Sequence, residues 1–141
     1  MKQILGFPQL TLLLLAISFF SMTGHAQDST NAEEVILITH LAGQKDNAEV
    51  KLSDILRTRG IFVTEYDDDE RWQVITYKLR LDRGERVSEC SNKGANYSNN
   101  CKAYVGALQI GNSIEVFDVK VSGKDGTVHT APNIKLNITE K

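Results

Sequence analysis

The chain has 141 residues with 16 basic against 18 acidic side chains, a formal net charge of −2. That balance is too even to point to nucleic acid or an anionic membrane surface as a partner held by bulk charge. Its size and composition fit one small globular domain with a single thin core.

The first 26 residues read as an address rather than as fold. Lys2 is their only charged side chain, an apolar run occupies Leu10–Phe20, and small residues stand at Gly24 and Ala26. A short positive start, an apolar middle and a small-x-small end describe a secretory signal peptide, cut after Ala26. The run is shorter than the roughly 20 residues of a helical span, retention as an anchor being the other fate of such a leader. No later stretch is apolar enough to cross a bilayer. The expected organisation is a signal peptide at 1–26, a flexible polar leader at 27–34 and a β domain at 35–141, placed in the periplasm or secreted.

Val35–Leu41 is a continuous β-branched run of strand length, suited to burial on both faces. Ala42–Ala48 reads as a polar turn. Leu52–Arg59 reads as a short helix that Ser53 can cap and Gly60 stops. Ile61–Tyr66 is a strand candidate, and the acidic run Asp67–Glu70 breaks the pattern. In the following strand, Trp72–Leu81, the residues Ile75, Tyr77, Leu79 and Leu81 share one face, with Trp72 on the opposite parity. Asp82–Glu85 turns the chain and Arg86–Cys90 pairs back as a hairpin.

Cys101–Ile110 has apolar residues at helical spacing, weakened by Gly106. Ser113–Ser122 and Ile134–Thr139 alternate apolar and polar, and Asp125-Gly126 between them supplies a hairpin turn. In the first of these strands the apolar phase slips between Val116 and Phe117, as a β-bulge would make it. Six strands and two short helices give a mostly β chain, a small β-sandwich, with a closed barrel as the alternative.

Cys90 and Cys101 are the only cysteines, an even count in a chain addressed for export, so a disulfide is expected. No second pair stands at zinc spacing, which argues against a metal. The loop between them, Ser91–Asn100, is polar and would be floppy without a cross-link.

Chemistry is thin. His40 and His129 fall in strands with no nucleophile or acid at useful spacing, and no G-x-S-x-G occurs. Asp67–Glu70 fails as an EF-hand, because Trp72 stands where a Gly is required and Lys78 where a Glu is required. Asn96-Tyr97-Ser98 and Asn137-Ile138-Thr139 fit the N-glycosylation pattern, which short sequences meet by chance. Arg71 and Trp72 are the candidate contact residues, being of the types enriched in binding hot spots, although a Trp packed at the end of the sandwich is the reading favoured over an exposed one. We expect no enzyme, no cofactor and no nucleic-acid partner.

From Gly111 to Ile138 the order of features resembles the C-terminal domain of the GldM family, the periplasmic shaft of the gliding-motility and type IX secretion apparatus of Bacteroidetes. The residues that carry it are Gly111-Asn112-Ser113-Ile114, Val116–Val121, Gly123–Val128 and Pro132-Asn133-Ile134. The resemblance implies an immunoglobulin-like sandwich that works by protein contact. The shaft's membrane helix and preceding domains have no counterpart here, and the cysteine pair is not part of the family pattern. The expectation is therefore a stand-alone exported copy, an adaptor or accessory of an envelope assembly whose partners are other envelope proteins. A periplasmic sandwich binding a glycan or peptide through Trp72 and the acidic turn Asp67–Glu70 is the alternative.

Overall fold

The computed structural model describes residues 34–140, and from Val35 onward they form one compact unit. The expected signal peptide, and all of the expected leader but Glu34, lie outside the described residues. The elements are β1 (Leu37–Leu41), β2 (Ala48–Lys51), α1 (Leu52–Arg57), β3 (Ile61–Glu65), β4 (Asp68–Asp82), β5 (Val87–Lys93), α2 (Asn99–Gly106), β6 (Ser113–Ser122), β7 (Val128–Ala131) and β8 (Ile134–Thr139). They build a curled mixed sheet in the order β1-β3-β4-β6-β8-β2, with β5 added to β4 and β7 to β6. The fold is mostly β and sandwich-like with two short helices, as expected from the sequence.

Two long strands make the curl. On one side β4 pairs first with β3 and then, from Thr76, with β5; on the other it runs along β6. In turn β6 pairs with β8 through Ser113–Val116 and with β7 through Val119–Ser122. The β4–β6 ribbon thus belongs to both halves of the sheet, and its register slips where the partners change. Ile75 is the extra residue on β4. On β6 the slip falls at Asp118, whose φ of 52° a short polar side chain tolerates better than a β-branched one. Its carboxylate lies between Lys78 at 3.4 Å and Lys120 at 3.7 Å. Bulges bend strands, and these two stand back to back.

An extra residue also flips the alternation of side chains. Ile75, expected inward beside Tyr77, Leu79 and Leu81, is 37% exposed, while Val74 is buried. The slip read between Val116 and Phe117 is a real bulge, centred slightly later.

Other corrections follow from pairing that periodicity does not show. Both arms of the expected closing hairpin are strands, but a further strand, β7, lies between them and takes the Asp125-Gly126 turn, with Pro132-Asn133 separating it from β8. Polar-looking Ala48–Lys51 is a strand because β8 offers it a parallel partner and Val50 a buried place. The acidic run turns only at Tyr66-Asp67, and Asp68–Glu70 already belong to β4. Helix α1 ends at Arg57, and its N-cap is Lys51 without a side-chain bond, so Ser53 does not cap it. Helix α2 begins earlier than expected, where the Ser98 hydroxyl accepts from Cys101 N at 3.3 Å, and it stops at Gly106.

The core joins Tyr77, Leu79 and Leu81 of β4 to Ile114 and Val116 of β6, with Leu136 and Ile138 of β8. Ile55 of α1 and Val105 of α2 close one end. Each large aliphatic buried there stabilises by about 1.5–3 kcal/mol.

Cys90 and Cys101 are joined as a disulfide, Cα to Cα 5.7 Å. The loop they close is fastened along its length, not loose. Tyr97 is buried in the core, Ala95 O accepts from Ile61 N and from the Tyr77 hydroxyl, and Tyr97 N donates to Arg59 O. Burial pushes the pKa of Tyr77 and Tyr97 well above the ordinary tyrosine value. Gly60 permits this docking: a Cβ there would stand 2.0 Å from Ala95 O. Close approach, more than helix termination, is what that glycine serves.

Candidate functional site: a groove floored by Trp72

At one end of the sandwich the β3–β4 turn and the β6–β7 turn stand side by side, with a groove of about 870 Å³ between them. Trp72 lies half-buried at its floor, packed against the core. The Ile75 bulge explains why: on a regular strand Trp72 would oppose Tyr77, whereas the extra residue puts both on the inner side. Its Nε1–H donates to Glu65 Oε1 at 3.0 Å, and its ring meets His129 edge to face at 5.1 Å. Gly123 makes room for the indole, since a Cβ there would come within 3.1 Å of Trp72 Cη2.

The far wall carries Asp125, Thr127 and His129. Asp125 Oδ1 accepts from Thr127 N at 3.1 Å and from the Thr127 hydroxyl at 2.7 Å, and these bonds hold its carboxyl below the usual range. Thr127 Oγ1 also lies 2.9 Å from His129 Nε2. The hydroxyl has one proton and the carboxylate can only accept, so that proton points to Asp125. His129 Nε2 is then the donor to Thr127. A base that is itself donating to a hydroxyl does not activate it, so the trio braces the turn and is not a nucleophile–base pair.

Charge lines the groove unevenly. Glu65, Asp68, Glu70 and Asp125 face Arg71 and Lys124. Lys124 Nζ reaches Glu70 Oε2 at 2.6 Å, and Glu70 first, then Asp68 and Glu65, raise its pKa. Arg71 turns its guanidinium over Phe62, 4.2 Å from the ring centroid. His40 stacks on the same ring at 4.4 Å and donates to or accepts from Thr64 Oγ1 at 2.9 Å.

Of the candidate contact residues, Trp72 and Arg71 both line the groove, with Arg71 engaged on Phe62. His129 joins Trp72 there, while His40 sits apart with Phe62. Sequence reading missed Glu65, Lys124, Asp125 and Thr127. The strand expected at His129 is β7, which buries Ala131 and half-buries His129 on one face and so turns His129 toward Trp72.

Exposed apolar side chains gather at this end. Val35 and Val128 line the groove, and Ile36 O accepts from Tyr66 N beside it; Ile36, Tyr66 and Val128 are each more than half exposed. The outer face of β4, β5 and β6 is different. There Arg80 donates to Glu89 at 2.8 Å and to Glu115 at 3.0 Å and covers Phe117, so its charges are matched within the sheet.

Among the described residues, no group of three or more His, Cys, Asp or Glu side chains is placed to hold a metal ion, and no helix is long and apolar enough to cross a membrane. No known family model matches the chain, and no curated protein sequence matches it.

Proposed function

We propose that this chain is an exported, non-enzymatic protein-interaction module whose contact surface is the Trp72 end of the sandwich. One observation carries the reading: a groove floored by a half-buried tryptophan is lined by exposed Val35 and Val128, and the exposed Ile36 and Tyr66, joined by a backbone bond, adjoin it along the chain. Contact patches combine an aromatic anchor, exposed apolar surface and a polar rim. The edge of β1 is shortened for this role, because Leu41 N and O are already bonded to Gln44.

The leader pattern at 1–26 supports placement in the periplasm or outside the cell. The resemblance of Gly111–Ile138 to the GldM C-terminal domain supports a role as adaptor or accessory in an envelope, secretion or gliding assembly.

Photo-crosslinking in intact cells tests the reading. A crosslinker placed at Tyr66 should give a discrete adduct with another envelope protein, and one at Glu89, on the opposite half of the sheet, should not. Equal adducts from both positions, or an adduct only from Glu89, would refute the assignment of the surface.

A further inference from the structure

The chemistry of the groove narrows what enters it, given the contact surface assigned above. We propose that the Trp72 groove receives an extended stretch of a partner protein carrying a lysine or arginine beside an apolar side chain, and that Lys124 holds the place of that cation beforehand.

Charge complementarity is the first argument. Four carboxylates, those of Glu65, Asp68, Glu70 and Asp125, line the groove. Of the two cations beside them, Arg71 is drawn to the Phe62 ring. The other, Lys124, meets Glu70 at 2.6 Å with its side chain 81% exposed. It comes from the turn between β6 and β7 and is held by charge rather than packing, so an incoming ammonium or guanidinium can displace it. A pair that exposed contributes little to the fold.

The apolar surface is the second argument. Val35, Val128 and the Trp72 ring lie among the carboxylates. Long cationic side chains bury an apolar stem while the charged head stays polar, and this groove offers both environments. A sugar fits less well. The indole is already packed on Gly123 and His129, and its N–H is committed to Glu65.

Trp72 is the sole tryptophan, so its emission reports on the groove directly. The disulfide-bonded protein is titrated with capped pentapeptides holding one lysine between two valines. A saturable shift is expected, with affinity reduced about ten-fold when norleucine or glutamate replaces the lysine, and reduced further as salt rises. Lys124→Met removes the competing ammonium and tightens binding by about two- to five-fold; Glu70→Gln, with Glu65→Gln, loosens it. Equal response to the glutamate peptide, no response to any peptide, or a response to chitotetraose alone would overturn the proposal. So would unchanged or weaker lysine-peptide binding by Lys124→Met. Should the peptides fail while Tyr66 still crosslinks to a partner, the surface stands and the basic occupant falls.

Discussion

Trp72 and His129 meet edge to face, 5.1 Å between ring centroids at 86°, although β6 separates their strands. The contact passes across Gly123, at the end of β6, where the absence of a side chain lets the indole cross. It joins β4 to β7 at the floor of the groove.

Gly123→Ala tests that crossing. The added methyl would press on Trp72 Cη2 and on Asp125 Oδ1, each 3.1 Å away. The fold is expected to survive while Trp72 emission shifts, because a side chain can give way by a few tenths of an ångström. Gly106→Ala, with nothing within 4 Å of its new methyl, is the control and should leave emission unchanged.

Gly60→Ala should behave very differently. Its Cβ would collide with backbone at Ala95, which cannot swing aside as a side chain does. A loss of more than about 2 kcal/mol is expected in urea unfolding, with the cysteine loop losing its protection from hydrogen exchange.

Much of the fold was readable from alternation alone. All six expected strands, at β1, β3, β4, β5, β6 and β8, fall where they were read, and in all but β5 one buried face is what the pattern records; β1, read as covered on both faces, buries only the face of Leu37, Thr39 and Leu41. The rest depends on partners that sequence does not print. β2 is four residues long, with Val50 its only buried side chain, and exists because β8 lies alongside. Parity alone put Trp72 on the outer face against the packed reading of it, because one bulge at Ile75 reverses the parity of everything before it. His129 and Lys124 reach the groove only because β7 folds back on β6.

The disulfide makes a quantitative prediction. Cys90 and Cys101 are 11 positions apart, and closing a loop of that size stabilises by about 3 kcal/mol in the chain-entropy model. The Cys90→Ala/Cys101→Ala pair should lose about that much in urea unfolding. A loss under about 1 kcal/mol would show that Tyr97 and the bonds at Ala95 hold the loop unaided.

His40 gives the pH dependence its sign. Burial first, then Lys45 and Arg71, lowers its pKa from 6.5 in the folded protein. The unfolded chain therefore takes up a proton at higher pH than the folded one. Stability is complete above the unfolded value and falls as pH drops from about 6.5 toward the lowered folded value. His40→Gln should flatten that part of the stability profile, and NMR titration should place the His40 pKa below 6.5.

The claim that matters most is that contact runs through Trp72. Once the protein crosslinked from Tyr66 is identified, its affinity for wild type and for Trp72→Ala, both confirmed folded by circular dichroism, tests this most directly. The account predicts a loss of about ten-fold or more, as for a hot-spot aromatic. Equal affinity for the two proteins would contradict it.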